Sequence, residues 1–277
     1  GQYEDYDEMS QSMYLGHKIT WENTASYHFD INDEHVFDVV AGQSIEKWGM
    51  GEDLEGSALN SIFYNDFDRA YLDNTKPIAL NEISVGGAPA SEGALASFFG
   101  RFIYNYDQRY FLNASVRAEG SSKFGANNRW GWFPAVSASW LISNEKFMRD
   151  QNVVDELKLR AGFGITGNVP GDCYPWIGLM NKNSDYAYFG DKKVVTYSLS
   201  NTPNPDLKWE TKTEYNVGVD FAVLDYRLTG SIEFYHKKTH DQIMAQRLPN
   251  FTGFSSITTN LGEVQNTGFE LTLNSSN

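Results

Sequence analysis

Features that the sequence lacks exclude several classes of protein. No apolar run approaches the roughly 20 residues that a membrane-spanning helix needs, which excludes a helical membrane protein. The same absence is compatible with a β-barrel, because a barrel strand turns only every second residue to lipid. The single cysteine, Cys173, cannot form an intrachain disulfide, so the sequence contains no disulfide scaffold.

Positive charge is also scarce. The 277 residues include 22 Lys and Arg against 36 Asp and Glu, and the formal net charge is −14. Phosphate recognition needs clustered Lys and Arg, so nucleic acid is excluded as a partner. The sequence begins at Gly1 with neither an initiator Met nor a signal peptide, and it ends straight after a strand-like run. We therefore expect a processed or truncated chain.

Aromatic residues, by contrast, make up 15% of the sequence, and many of them occur in alternating patterns. In residues 213–223, Tyr215, Val217 and Phe221 point one way, while Glu214 and Asp220 point the other. After a short turn at residues 224–227 the alternation resumes, which predicts a β-hairpin.

The same period of two recurs along the chain. It is clear in residues 98–105, 110–117, 134–140 and 157–165, and weaker in residues 19–27, 36–47, 257–264 and 268–274. With the hairpin above, this pattern predicts about ten strands, each long enough to cross the apolar layer of a membrane.

The connections between these strands alternate in length. Short ones lie at residues 29–35, 105–109, 224–227 and 265–267; a medium one at 144–156 contains a predicted helical turn at 145–149; longer ones lie at 48–96, 120–131, 167–210 and 249–256. Short periplasmic turns and long extracellular loops are the layout of an outer-membrane barrel, whereas a soluble sandwich gives no reason for it. We therefore predict an all-β chain that forms part of a transmembrane antiparallel β-barrel.

Aromatic residues cluster beside the predicted turns. Tyr104, Tyr106, Tyr110 and Phe111 flank one short turn, and Phe221 and Tyr226 flank another. This position favours an interfacial girdle, with rings in the apolar layer and hydroxyls near the headgroups. The alternative is ordinary cross-strand packing near a hairpin. Trp209, just before a strand, is also predicted to lie at the outer interface.

Six separated blocks of sequence carry a resemblance to a known family. They are FGR to YDQRY (residues 99–110), SVRAEGSSKFG (115–125), NRWGWFPAVSA (128–138), LKLRAGFGITGN (157–168), NPDLKWE (204–210) and NTGFEL (266–271). In order and spacing these blocks resemble the SusC/RagA family of TonB-linked outer-membrane proteins. They cover most of the chain from residue 96 onward, whereas the first part matches only by its strand pattern.

The resemblance implies an importer in the outer membrane of a Gram-negative, Bacteroidetes-like bacterium. Such importers have a barrel of about twenty-two strands filled by an N-terminal plug. The resemblance also implies a SusD-like surface lipoprotein as a lid, energy relayed by TonB, and a glycan or peptide as cargo. The plug, the TonB-box region and the last barrel strands are not found in residues 1–277. We therefore expect a segment of the barrel domain, whose partners also include the rest of the barrel and outer-membrane lipid.

Two other functions are compatible with the pattern. One is a non-transporting outer-membrane anchor or adhesin, and the other is a soluble β-rich binding domain. No catalytic constellation, cofactor motif or metal site is found, so we do not expect an enzyme. His236 and His240 would suit a metal on a helix, but they lie in a predicted strand. The acidic runs at residues 4–8 and 52–55 lack EF-hand spacing and are interpreted as solvated loop acids.

The long loop at residues 167–210 is the best candidate for binding. It contains five aromatic residues, Tyr174, Trp176, Tyr186, Tyr188 and Phe189. Exposed rings there could contact the substrate or a lid protein, as large amphipathic rings do at interfaces. The alternative is that the same rings form a small core for the loop itself.

Overall fold

The computed structural model describes residues 8–63, 66–69, 71–77, 82–89 and 92–276, which form β-strands and short 3-10 helices. The strands are β1 Glu8–Ile31, β2 His35–Leu59, β3 Ile83–Pro89, β4 Gly93–Tyr106, β5 Tyr110–Ser121, β6 Trp130–Leu141, β7 Val154–Asn168, β8 Met180–Phe189, β9 Lys192–Leu199, β10 Glu210–Val223, β11 Leu228–His240, β12 Ile243–Arg247, β13 Ser256–Asn260 and β14 Val264–Ser275. The 3-10 helices are Phe67–Arg69, Leu72–Asn74, Ala126–Asn128, Ile142–Asn144, Lys146–Met148 and Asn250–Thr252. In these ranges no helix is long and apolar enough to span a membrane. The prediction of an all-β chain is confirmed.

The chain divides into two compact units. The smaller unit comprises residues 1–20 and 46–94, and the larger unit comprises residues 21–45 and 95–277. In the smaller unit, β3 pairs antiparallel with residues 52–58 of β2. Beyond β2, the Ile62 N–H donates to the Asn74 carbonyl at 2.8 Å, which closes the connection that contains two of the 3-10 helices.

The larger unit is organised around one sheet. From β4 onward its neighbouring strands follow the order β4, β5, β6, β7, β10, β11 and β14, and residues 21–31 of β1 and 35–45 of β2 also belong to this unit. The pairs from β4 to β14 are antiparallel. Two hairpins, β8–β9 and β12–β13, lie outside this sheet.

The register gives the sheet one apolar face. Directly paired residues form a row across seven strands: Tyr104, Leu112, Ala138, Ala161, Val217, Phe234 and Phe269. Val217, Phe234 and Phe269 in this row are exposed. A large exposed apolar surface that continues from strand to strand is typical of the lipid-facing side of a barrel.

The opposite face is polar, because each strand turns successive side chains to opposite sides. The next row on that face contains Ile103, Asn113, Ser137, Gly162, Asn216, Tyr235 and Gly268. Charged residues occupy the neighbouring rows, as with Arg160 and Glu233. The alternation of apolar and polar side chains predicted for residues 213–223 therefore continues across the neighbouring strands.

The connections lie at two ends of this sheet. Residues 107–109, 142–153 and 224–227 form the short-turn end, and residues 122–129, 169–209 and 241–263 form the loop end. Between β4 and β11 the connections alternate in length as predicted, with residues 142–153 as the predicted medium one, but the predicted short turn at 265–267 is absent, because residues 241–263 join β11 to β14 at the loop end. The predicted helical turn in residues 142–153 is the 3-10 helix Lys146–Met148.

Three predictions about the strands were wrong. Residues 257–264 do not form a strand of the main sheet, because β13 pairs with β12 in a separate hairpin. Residues 265–267 are not a turn, since they lie within β14. The predicted loop 48–96 begins too early, because β2 continues to Leu59 and carries the acidic residues 52–55 on a strand. Of the other acidic run, only Glu8 lies within the described residues.

Candidate functional site

An ion-pair cluster occupies the polar face where β7, β10 and β11 run side by side. Arg160 Nη2 donates to Glu233 Oε2 at 2.7 Å, and Arg160 Nε lies 3.2 Å from both carboxylate oxygens of Asp220. Gly218 lies between Arg160 and Glu233 in the register, and a Cβ there would be 2.9 Å from Arg160 Cζ. The missing side chain of Gly218 lets the guanidinium cross β10.

A small buried core organises the loop end. It consists of Phe124, Leu207 and Trp209, with Phe133 packed against it. The Trp209 ring lies 5.0 Å from Phe124 and 5.2 Å from Phe133 between ring centroids, and its Nε1 donates to the Arg129 carbonyl at 3.1 Å. Trp209 is only 6% exposed. The prediction that Trp209 lies at the outer interface is therefore wrong.

Side-chain hydrogen bonds join the three long connections to one another. Asn128 Nδ2 donates to the Asp206 carbonyl at 3.0 Å, which links residues 122–129 to residues 169–209. Asn260 Nδ2 donates to the Lys208 carbonyl at 2.8 Å, and Asn204 Nδ2 donates to the Thr258 carbonyl at 2.8 Å. These bonds fix the β12–β13 hairpin against the segment that leads into β10.

The five aromatic residues predicted for binding fall into different environments. Trp176 is half-buried, and its Nε1 donates to the Ser122 carbonyl at 3.2 Å; Tyr174 is also half-buried. Tyr188 and Phe189, at the end of β8, are 69% and 72% exposed. The side chain of Tyr186 lies outside the described residues. Trp176 therefore anchors the loop base, whereas Tyr188 and Phe189 present their rings to solvent, and contact of the loop with substrate or a lid protein stays a prediction.

A further exposed ring was missed by sequence reasoning. Phe251 lies in the 3-10 helix Asn250–Thr252 between β12 and β13 and is 90% exposed. The sequence could have indicated this exposed ring, because a position between Pro249 and Gly253 is typical of a loop tip. Gly253 has a φ of +80°, a conformation that glycine adopts without strain.

The short-turn end contains a polar cluster around Glu145. Its carboxylate accepts hydrogen bonds from Tyr110 Oη at 2.7 Å, Arg109 Nη1 at 2.9 Å and Trp140 Nε1 at 3.1 Å. The hydrogen bond from Tyr110 is the main cause of the lowered pKa of Glu145, with Arg109 and Trp140 acting in the same direction against burial. This cluster joins the turn between β4 and β5 to the connection between β6 and β7.

The rings predicted for a girdle lie mostly on one face beside this cluster. The centroid of Tyr110 lies 6.0 Å from that of Tyr106 and 6.1 Å from that of Trp140, and Tyr104 packs against Phe37 at 4.8 Å. Phe111 is different, because it is on the polar face beside Arg160. The interfacial role of Tyr104, Tyr106 and Tyr110 stays a prediction.

The two histidines considered for metal binding have other partners. His236 Nδ1 lies 2.8 Å from Thr267 Oγ1, and His240 Nδ1 lies 3.3 Å from Glu263 Oε1. Across the part of the chain that the structure describes, no three His, Cys, Asp or Glu side chains come together as a metal site.

Comparison with known proteins gives consistent matches over nearly the whole chain. Residues 2–276 match the family model described as TonB dependent receptor-like, beta-barrel. The chain is 37% identical over 253 residues to the TonB-dependent receptor P39 of Formosa agariphila, a match that covers 91% of this chain and 23% of that protein. It is 35% identical over 246 residues to the TonB-dependent receptor SusC of Bacteroides thetaiotaomicron, covering 86% and 23%.

A solved structure agrees with these matches. The structure of the RagAB peptide transporter superposes with a TM-score of 0.80 and 30% sequence identity, covering 97% of this chain and 28% of that one. The chain thus spans about a quarter of the length of the proteins it matches, 23% for the two relatives and 28% for the structure.

Proposed function

Because the chain belongs to the TonB dependent receptor-like β-barrel family, we propose that it forms wall and external loops of an importer in the outer membrane of a Bacteroidetes-like bacterium. The observation that carries this proposal is the register of the main sheet, which keeps one face apolar and the other polar from β4 to β14. An apolar face towards lipid and a polar face towards an aqueous interior are what a transporting barrel requires. A soluble sandwich would instead pack its apolar faces on each other.

Residues 1–277 belong, in this proposal, to a longer barrel domain with a plug and further strands. Within the described residues, β14 pairs with β11 on one side only. An unpaired strand edge is not stable in lipid, because its backbone N–H and C=O groups have no other partners there. The remaining strands of the barrel would supply those partners.

The proposed partners are a SusD-like surface lipoprotein at the loop end and TonB on the periplasmic side. The cargo is a glycan or a peptide, and we expect no enzymatic activity. Tyr188 and Phe189 are the proposed contact residues for cargo or lid, since their rings are exposed at a hairpin tip. Tyr174 and Trp176 would position that hairpin, because Trp176 Nε1 donates a hydrogen bond to the Ser122 carbonyl in the connection 122–129. Tyr186, on the same hairpin, is retained as a proposed contact.

The proposal is tested by deleting the full-length gene in its host and measuring uptake of labelled oligosaccharide and peptide mixtures. Uptake of one class should fall to background, and a strain without TonB should show the same loss. Uptake unchanged in both strains would contradict import and would favour a surface anchor or adhesin. Expression of the intact gene in the deletion strain should restore uptake.

A further inference from the structure

The apolar face of the main sheet contains almost no charge. From β4 to β14 this face consists of every second residue on each strand, counted from the row of Val217, Phe234 and Phe269. Among the paired residues that the structure describes in these seven strands, Lys238 of β11 is the only Lys, Arg, Asp or Glu on this face. A charge on the lipid side of a barrel is unfavourable at the middle of the membrane and tolerated near its surface.

The apolar residues of this face, which we call the apolar band, end at different rows on different strands. On β6 the exposed ring of Trp132 lies beyond the row that contains His236, whereas on β11 the last apolar residue before that row is Phe234. A slanted limit is expected, because barrel strands are tilted in the membrane. On β10 and β11 the limit is marked by Tyr215 and His236, whose ring centroids are 6.5 Å apart. Tyrosine is typical of the boundary between lipid and water.

The other limit of the apolar band, at the short-turn end, shifts in the same sense. The stacked rings of Tyr110 and Trp140 mark it on β5 and β6, whereas on β14 the exposed Leu273 lies one row further. The band therefore shifts along the sheet as a whole. This supports placing the loop-end limit on β11 at His236.

Lys238 lies just beyond this limit, two residues after His236 and on the same face of β11. A strand rises about 3.4 Å per residue, so Lys238 is about 7 Å further along the strand. Headgroups add about 5–7 Å to each side of the hydrocarbon layer. Lys238 is therefore at the level of the lipid headgroups on the side of the long loops, where anionic groups attract Lys and Arg.

Two histidines on the same face of β11 add hydrogen-bond donors at this level. His236 contacts Thr267 Oγ1 through Nδ1 at 2.8 Å, so its Nε2 faces other partners. The side chains of Lys238 and His240 are 32% and 34% exposed. An ammonium group and imidazole N–H groups are donors that suit the oxygens of a phosphate.

Glu263 shows that these side chains accept an anion. Its carboxylate lies 2.8 Å from Lys238 Nζ and 3.3 Å from His240 Nδ1. Glu263 is in the connection 241–263 and its side chain is 57% exposed. Exposed ion pairs contribute little free energy, so a phosphate, which offers more acceptor oxygens, can replace this carboxylate. Glu263 would then compete with the ligand.

We propose that His236, Lys238 and His240 bind the phosphate of a lipid in the leaflet on the side of the long loops. The acyl chains of this lipid would lie against Phe234 and Tyr215, which are both 51% exposed on the apolar band. The continuity of the cations with that apolar surface favours a lipid over free phosphate. The inference goes beyond import and rests on the proposed function only for the orientation of the barrel in the membrane.

The test measures binding of a fluorescent lipid A with one phosphate to the full-length receptor in detergent micelles. Lys238→Met should weaken binding about fivefold, the effect of one cation at a membrane surface, and Lys238→Arg should bind as the wild type. Glu263→Gln removes the competing carboxylate and should tighten binding. Lys237→Met is the matched control and should bind as the wild type, because Lys237 is the next residue of β11 on the polar face, 3.2 Å from Glu214.

No binding by the wild type, unchanged binding by Lys238→Met, or an equal loss in Lys237→Met would overturn the inference. Weaker binding by Glu263→Gln would also overturn it, because the carboxylate would then hold the site together. Equal binding of the same lipid without its phosphate would exclude phosphate recognition, and displacement by inorganic phosphate at the concentration of the lipid would identify a site for the free anion.

A second copy of the chain is the other occupant that the test separates. If Lys238→Met dissociates a receptor dimer in light scattering and leaves lipid binding unchanged, the face contacts another copy and the inference is overturned. None of these results depends on import. Uptake of labelled cargo in the deletion strain reports the proposed function without reference to lipid binding.

Discussion

Arg160 and Glu233 form a 2.7 Å hydrogen-bonded ion pair although a complete strand, β10, separates them. The pair exists because the intervening position is Gly218, and Asp220 on the same strand engages the other side of the guanidinium. One side chain thus joins three neighbouring strands on the polar face.

Replacing Gly218 by Leu should displace the Arg160 guanidinium and lower the free energy of unfolding by about 1–3 kcal/mol, the usual cost of overpacking. The ion pair itself should contribute no more than about 1 kcal/mol, since both side chains are partly exposed. Urea unfolding of the full-length receptor in micelles measures the difference. Gly100→Leu is the control, because a Cβ at Gly100 would have its nearest neighbour, the Val40 carbonyl, at 3.9 Å. Equal losses in both variants would contradict the role of Gly218.

The Glu145 cluster predicts a dependence of stability on pH. The pKa of Glu145 in the folded chain is below its ordinary value of 4.5. A carboxyl with a lowered pKa stabilises the fold above the unfolded pKa, and that contribution is lost as the pH falls through the folded pKa. The urea midpoint of the wild type should therefore decrease below about pH 4.5, and Glu145→Gln should have a lower midpoint at neutral pH with a smaller decrease on acidification.

The deciding measurement is the difference in urea midpoint between the wild type and Glu145→Gln at each pH. It should be largest near neutral pH and should shrink towards about pH 3. Glu82→Gln, outside the cluster, serves as the matched charge control. A wild-type minus Glu145→Gln difference that is constant across this range would contradict the prediction.

Sequence reasoning found the strands of the main sheet because the period of two fixes which face each side chain takes. Val217 and Glu214 could be assigned to opposite faces without knowing their neighbours. The environment of Trp209 could not be predicted in this way, because its burial depends on Phe124 and Phe133 in distant parts of the chain. The β12–β13 hairpin was missed for a related reason: β13 has strand-like sequence, but it pairs with β12 and forms hydrogen bonds with residues 204 and 208 instead of joining the main sheet.

Trp209→Ala should loosen the connections at the loop end. Removing a buried tryptophan ring typically costs about 3–5 kcal/mol, and here the loss falls on the core that Trp209 forms with Phe124 and Leu207. Hydrogen exchange should become faster in residues 122–129 and 201–209, with much smaller changes in β10 and β11. Trp132→Ala is the control, since Trp132 is exposed on the apolar face. Unaltered exchange in both segments would show that the core does not order the loops.

The two kinds of aromatic residue in the long connection should respond differently to substitution. Tyr188→Ala and Phe189→Ala remove exposed rings, so we expect each to weaken binding of the lid lipoprotein or cargo about tenfold while leaving hydrogen exchange unchanged. Trp176→Ala removes the indole N–H that donates a hydrogen bond to the Ser122 carbonyl, so it should accelerate hydrogen exchange in residues 122–129. It should weaken binding only because the loop becomes less ordered. Phe251→Ala tests whether the second exposed tip belongs to the same surface. If lid affinity and uptake are unchanged in both Tyr188→Ala and Phe189→Ala, the hairpin tip is excluded as a contact. Neither substitution is expected to alter the loop core, so such a result would have no other explanation.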